Sequence, residues 1–447
     1  MPSLPQEFLN SLLQLPHFDE KAFVEAHHEE NKITSIRLNP FKKTKLDFDL
    51  DESVLWSGNG FYLHKRPSFT LDPLFQAGCY YVQEAGSMFL ELALKQTLNL
   101  SKNLNILDLC ASPGGKSTLI NSLITDNSLL VANELIKSRA DTLVQNLSKW
   151  GTSNTVVTNN DSTKFSVLSG FFDAIIIDAP CSGSGLFRKQ PDAVKEWSHE
   201  SMISCSMRQK QILQNVMPAL KQNGILVYST CSYSVQENED IVNWLCQHFE
   251  LETTQLSVPK EWGIIESNFG YRFYPYLLKS EGFFCSVLRK KNDESVSFNT
   301  KKKGNTDITK TETSILTAFV NPSNNTVIKK NNQFHLLNLA ALNFLSAFEK
   351  QFYFKKAGAV IGEIKGKDMI PNQELAWSLN TSNNIQRIEL DKENALHYLK
   401  KENFRVPQAI KGLCLITYKN YGLGWAKILP NRNNNYLPNE LKILLKH

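Results

Sequence analysis

The chain has 447 residues, 42% of them hydrophobic and 21% charged, with a formal net charge of +5 and a pI near 8.6. That length excludes a single ordinary domain, and the composition is that of a soluble globular protein. The mild basic excess tolerates an anionic partner without requiring one, because nucleic-acid binding depends on a localised basic face.

Met1 to Pro16 reads as a polar start followed by a short amphipathic helix, Glu7–Leu15, and no apolar run reaches membrane-spanning length. A cytoplasmic protein without a membrane partner is therefore expected. Residues 1–75 mix helical periodicity with extended pieces at Ser35–Leu38 and Gly60–Leu63, a small α+β unit. Over 76–290 short apolar runs alternate with amphipathic ones. Ile106–Leu109, Leu129–Asn133, Thr155–Thr158, Phe172–Ile177 and Gly224–Tyr228 read as buried strands, Lys116–Ile124 and Lys137–Trp150 as helices. Such alternation implies crossover units and a parallel, Rossmann-like α/β sheet. Residues 291–312 are polar and aperiodic, a linker in which Lys301 to Lys303 read as a solvated charge run. Apolar pattern returns over 313–447, where a helix around Leu336–Gln351 precedes short strands, so a further domain with its own core is expected. Asn431 to Asn435 reflect compositional bias.

The segment Cys110-Ala111-Ser112-Pro113-Gly114-Gly115-Lys116 leaves the first strand and enters a helix. In a doubly wound sheet this carboxyl end is where a nucleotide-like ligand binds, with glycines permitting close backbone approach. A phosphate-binding P-loop is the rival reading, since Gly115-Lys116-Ser117 supplies its last three residues. That motif needs glycine where Cys110 stands. Glu134 follows the second strand, in position to accept from ribose hydroxyls, and Asp161 follows the third, toward the adenine end. Without a second phosphate-binding feature, an adenosyl ligand lacking phosphates fits better than a dinucleotide.

The eight cysteines are scattered and suggest neither disulfides nor a metal site. Two of them, Cys181 in Asp178-Ala179-Pro180-Cys181 and Cys231 in Ser229-Thr230-Cys231, follow adjacent strands and are flanked by Pro, Ser or Gly. A single buried thiol is usually inert; two in neighbouring crevice loops point to chemistry. Carbon 5 of cytosine cannot attack a sulfonium methyl directly. A thiolate adding at carbon 6 makes it nucleophilic, an acid near ring nitrogen 3 (Asp178 is the candidate) stabilises the developing charge, and a second group aids release.

These residues resemble the RNA cytosine-5 methyltransferases of the NOL1/NOP2/Sun family. Tyr81-Val82-Gln83-Glu84-Ala85, Cys110–Lys116, Asn133-Glu134, the two cysteine motifs, Gln236-Glu237-Asn238-Glu239, and Arg272 through Gly282-Phe283-Phe284 follow its order. The resemblance implies Cys231 as nucleophile, Cys181 as the residue aiding release, and S-adenosylmethionine held by Cys110 to Lys116, Glu134, Asp161 and Asp178. Tyr276 departs from it, standing where members usually carry histidine. The tail, through Gly422–Lys427 and Asn435–Pro438, resembles the PUA-like RNA-binding extension of a bacterial branch that methylates small-subunit ribosomal RNA, although Asn439 and Glu440 replace its usual basic residues. Ile36–Pro40 likewise resembles the family's small RNA-facing domain. The expectation is a monomeric RNA methyltransferase. A P-loop nucleotide hydrolase and a non-catalytic RNA-binding scaffold are the competing readings.

Overall fold

The computed structural model describes residues 4–15, 17–28, 33–291, 308–407 and 409–445. The expected linker lies mostly outside these residues, as do Lys301 to Lys303. Among the described residues no helix is long and apolar enough to cross a membrane.

A ten-stranded sheet forms the centre. Its parallel part runs, in spatial order, Leu220–Thr230, Phe172–Asp178, Asn105–Asp108, Leu129–Asn133 and Thr155–Thr158. Phe283–Lys290 joins antiparallel beside Leu220–Thr230. These strands are apolar on both faces because both are covered. Leu107, Val131, Ile175 and Leu226 pack on one side with Leu213, Val216 and Ile241. Their sequence neighbours Ile106, Leu130, Ile176 and Ile225 pack on the other with Leu94, Leu119 and Ile120. From Asn105–Asp108 the chain first builds outward to Thr155–Thr158, then returns to build Phe172–Asp178 and Leu220–Thr230 on the opposite side. The order therefore reverses beside Asn105–Asp108, and a crevice opens at the strands' carboxyl ends there.

The amino-terminal unit carries a three-stranded sheet of Gly60–Tyr62, Ser35–Leu38 and Tyr80–Val82, so it extends past the expected boundary at residue 75, because its central strand pairs with a segment beyond it. Its helices Gln6–Leu12 and Glu20–His28 pack elsewhere, with Phe8 and Phe23 against Phe187, Tyr233 and Tyr274. The tail carries two four-stranded sheets, one spanning Thr326–Pro371 and one spanning Arg387–Asn435. Its apolar residues do not form one separate core. Helix Leu339–Phe348 places Phe344 and Phe348 in the cluster of the central sheet, and strand Phe354–Ala357 pairs antiparallel with Thr155–Thr158. Tyr398, Ile416 and Leu423 share a cluster with Ile36, Leu74 and Tyr80 of the amino-terminal unit. Around Trp425, which is buried and donates its indole N–H to the Asn372 carbonyl at 2.9 Å, the tail packs chiefly on itself.

The buried Lys42 ammonium joins all three parts. It donates to the carbonyls of Ala77 at 2.9 Å, Lys149 at 2.7 Å and Trp377 at 2.8 Å.

Candidate active site

The first loop is set by backbone pairing on both flanks. Leu109 N donates to the Ile176 carbonyl at 3.0 Å and Ala111 N to the Asn133 carbonyl at 2.9 Å. Gly114, at φ +112°, makes the left-handed turn that starts helix Gly115–Asn121, a conformation a side chain would strain. Ser117 Oγ then donates to Asp108 Oδ2 at 2.6 Å, tying helix to strand. Burial pushes the Asp108 carboxyl up to about 7 and the Cys110 thiol well above its ordinary value, so Cys110 is a wall of the site rather than a nucleophile. Arg37 grips this turn from the amino-terminal side. It donates to Gln83 Oε1 at 2.8 Å, the Gly115 carbonyl at 3.2 Å and Thr118 Oγ1 at 2.6 Å, and lies over Trp150 at 4.6 Å.

A cavity of about 600 Å³ occupies the crevice, and Cys110, Ser112, Glu134, Asp161, Asp178, Cys181 and Cys231 all line it. Ala111, Pro113, Gly115 and Lys116 line a smaller neighbouring cavity of about 170 Å³, with Tyr81, Glu84 and Asp108. Gly114 lines neither; it shapes the turn. Glu134 is held from within its own loop, accepting from Ile136 N at 2.9 Å with Arg139 at 3.5 Å. Asp161 accepts from Thr163 N at 2.9 Å as the cap of the short helix after it. Leu135 and Ile136 are exposed (62% and 50%) and also line the cavity, an apolar platform beside the two acids.

On the other side the two thiols meet, with Cys181 Sγ and Cys231 Sγ 3.1 Å apart. The contact with Cys231, together with burial, pushes the Cys181 thiol well above its ordinary pKa. Asp178 pairs with Lys116 at 2.7 Å and accepts from Ser229 Oγ at 2.8 Å. Burial opposes the Lys116 charge, yet the Asp178 carboxylate outweighs it and keeps the ammonium above its ordinary value. With its ammonium committed to Asp178, Lys116 is not the free phosphate-binding lysine of a P-loop.

Several lining residues lay beyond sequence reasoning. Arg139 sits just past Glu134, but Arg208, Gln211 and Asn215 come from helix His199–Val216, which carries no local mark of a ligand. Glu237 is the other omission. It lies in a segment already noted for its family likeness, yet its buried carboxylate binds both thiol loops. Burial raises its carboxyl above the ordinary range despite the hydrogen bonds that Ser182 and Ser232 donate. Tyr276 has a packing role. Its hydroxyl accepts from Asp19 N at 3.2 Å and donates to the His17 carbonyl at 2.8 Å, while its ring stacks on Tyr274 at 5.4 Å.

Three family models match the chain. Residues 95–289 match the 16S rRNA methyltransferase RsmB/F, residues 4–85 the N-terminal domain of 16S rRNA methyltransferase RsmF, and residues 385–443 the methyltransferase RsmF PUA domain. Proteins named ribosomal RNA small subunit methyltransferase F are similar over nearly the full length. The one from Aliivibrio fischeri is 30% identical over 91% of this chain and 90% of its own, and the one from Shewanella woodyi 30% over 99% and 97%. Among solved structures, a methyltransferase homolog from Pyrococcus horikoshii is 27% identical with a TM-score of 0.52, covering 64% of this chain and 100% of that one. The fold is also that of NSun6 from the same organism, solved with SFG, at 19% identity and a TM-score of 0.55 over 65% and 99% of the chains.

Proposed function

This chain belongs to the RsmB/F family of 16S rRNA methyltransferases, and on that basis we propose that it methylates carbon 5 of a cytosine in small-subunit ribosomal RNA, using S-adenosylmethionine and a covalent cysteine intermediate. The observation that carries the mechanism is the pair of thiols 3.1 Å apart, lining the same cavity as Glu134 and Asp161.

The cavity suits the cofactor. Three carboxylates (Glu134, Asp161 and Asp178) line the cavity with Arg139 and Arg208, and with Lys116 paired to Asp178 the charges balance, so the cavity lacks the positive excess that a polyphosphate needs. Glu134 retains acceptor capacity for ribose hydroxyls, Leu135 and Ile136 offer a face for a flat ring, and Asp161 stands toward its far end. When bound, S-adenosylmethionine supplies the electrophilic methyl group.

The protein's own groups do the rest. The Cys231 thiolate adds to carbon 6: a sulfur–carbon bond forms, the carbon 5–carbon 6 double bond opens, and its electrons make carbon 5 nucleophilic. Either sulfur can donate across the 3.1 Å contact, and Cys231 is taken as the attacking group on the family likeness of its Thr-Cys motif. Asp178 is assigned to ring nitrogen 3, which takes up a proton as negative charge reaches it, and the Lys116 ammonium paired with Asp178 supplies the compensating positive charge. After methyl transfer the carbon 5 proton passes to a solvent water, its bonding electrons reform the double bond, and the sulfur–carbon bond breaks with its electrons returning to Cys231, a release that Cys181 assists. On this reading the Pro-Cys loop is the assisting side and the Thr-Cys loop the attacking side. Action as a monomer in the cytoplasm belongs to the same reading.

Bisulfite mapping of ribosomal RNA from cells with and without the gene tests the proposal. One small-subunit cytosine should lose its 5-methyl mark on deletion and regain it when the purified protein and S-adenosylmethionine are added. An unchanged methylation map would overturn it.

A further inference from the structure

The two cysteines belong to loops that are 50 positions apart in sequence, and covalent catalysis needs their sulfurs at a fixed separation. One carboxylate touches both loops. Glu237, buried at 0% exposure, accepts at Oε1 from Ser182 N at 2.7 Å. Its Oε2 accepts from Ser182 Oγ at 2.6 Å and from Ser232 Oγ at 2.5 Å. Ser182 and Ser232 are the residues immediately after Cys181 and Cys231, so each thiol is one peptide unit from a group that Glu237 holds.

Glu237 itself is anchored independently of the thiols. Its carbonyl accepts from Tyr228 Oη at 2.6 Å, and its N–H donates to Ser234 Oγ at 3.3 Å. The next residue repeats the arrangement on one loop: Asn238 Nδ2 donates to the Ser232 carbonyl at 2.8 Å, and its Oδ1 accepts from Thr230 Oγ1 at 2.6 Å. Asn238 thus fixes the Cys231 loop, and Glu237 fixes the Cys181 loop to it. Gly185 N also donates across the gap to the Cys231 carbonyl at 2.7 Å, so the two loops stay attached without Glu237, but less closely indexed near the sulfurs.

We infer that Glu237 is a positioning residue for the methyl-transfer reaction, a clasp whose carboxylate sets the spacing of the attacking and assisting thiols. The inference rests on the roles assigned to Cys231 and Cys181 above. Glu237 touches neither sulfur, and it lines neither of the two cavities at the site. Removing it should therefore act on the rate of the bound complex rather than on binding. Glutamine at this position can still accept from Ser182 N through its oxygen and donate through its amide to the two hydroxyls, which accept as readily as they donate. Alanine removes the partner of Ser182 N and leaves the two hydroxyls only their longer contacts, with each other at 3.2 Å and, for Ser232, with Ser184 Oγ at 3.4 Å and Ser234 N at 3.1 Å.

The test compares Glu237→Ala, Glu237→Gln and Cys231→Ala in the full-length chain, measuring methyl transfer to small-subunit ribosomal RNA, RNA KM, S-adenosylmethionine affinity and melting temperature. Glu237→Ala should lower kcat about 10- to 100-fold, as expected when several buried hydrogen bonds are lost, with KM and cofactor affinity within about threefold. Glu237→Gln should recover most of kcat. If Glu237→Ala does not stay folded, Glu237→Asp, one methylene too short to span the loops, replaces it with the same expectation. Full kcat in the alanine or aspartate variant would overturn the clasp. So would a glutamine variant as impaired as alanine, or a loss confined to KM or cofactor affinity. Cys231→Ala separates this from the underlying reading: if it still transfers methyl groups, the thiol assignment is what fails. If it is inactive while Glu237→Ala is unimpaired, only the clasp fails.

Discussion

The two sides of the cavity are built on opposite plans. On the side proposed for the cofactor, Glu134 and Asp161 are each held by their own loop, through Ile136 N and Thr163 N, and keep acceptor capacity in reserve. On the thiol side nearly every polar group is engaged across loops: Asp178 by Lys116 and Ser229, Ser182 and Ser232 by Glu237. A ligand that must exchange at every turnover needs acceptors that are oriented but unsaturated. A covalent step needs atoms whose separation does not drift, and such rigidity comes from saturating the groups behind them.

If that division is right, substitutions on the thiol side should cost rate and those on the cofactor side should cost affinity. The largest effect is expected at the cysteines. Cys231→Ala should reduce methyl transfer by about 10⁴-fold or more and form no protein–RNA adduct. Cys181→Ala should still attack and methylate, then stall as an adduct that survives denaturing electrophoresis. The reverse pattern would exchange their roles.

Next in size, Asp178→Asn should lower the single-turnover rate about 10²- to 10³-fold by removing the carboxyl group through which a proton can reach ring nitrogen 3 and by leaving Lys116 without its carboxylate partner. Asp178 lines both cavities, so this variant tests the division most sharply. A loss seen in cofactor affinity with the rate intact would move Asp178 to the other side. Glu134→Ala should weaken S-adenosylmethionine about 10- to 100-fold, or about 1.5–3 kcal/mol, in calorimetric titration, with little change in rate at saturating cofactor. Asp161→Ala, at a more exposed position, should weaken it only about three- to tenfold. Unchanged affinity in either variant would remove that acid from the cofactor side.

How much of this could be read in advance follows from how local each feature is. The strands Leu129–Asn133 and Thr155–Thr158 and the helix Lys137–Trp150 fall where apolar periodicity puts them, because burial of a strand or helix face is written in consecutive residues. The expected helix around Leu336–Gln351 exists as Leu339–Phe348, but its partner is the central sheet, and periodicity reports an apolar face without saying what covers it. Leu336, expected in that helix, lies instead in strand Gln333–Leu337. In the site, the loop acids and thiols were legible because they follow strands directly. Glu237 was not, since its importance depends on Ser182, 55 positions earlier, and a carboxylate carries no sign of the donors it will meet. Tyr276 was visible as a departure, but its bonds to His17 and Asp19 join it to residues more than 250 positions away.

The pairing of Phe354–Ala357 with Thr155–Thr158 bears on whether the tail is a detachable module. A protein cut at residue 291 would uncover the hydrogen-bonding flank of a four-residue strand whose side chains are all buried in the intact chain. Such a flank is a template for the next molecule's backbone, and the apolar ground vacated by Phe344 and Phe348 would lie beside it. Lys42 would keep a charge in the interior with one carbonyl fewer to receive it. The shortened protein should therefore self-associate before any loss of RNA affinity could be measured. Evolution could trim this tail only by first replacing the rim that it seals.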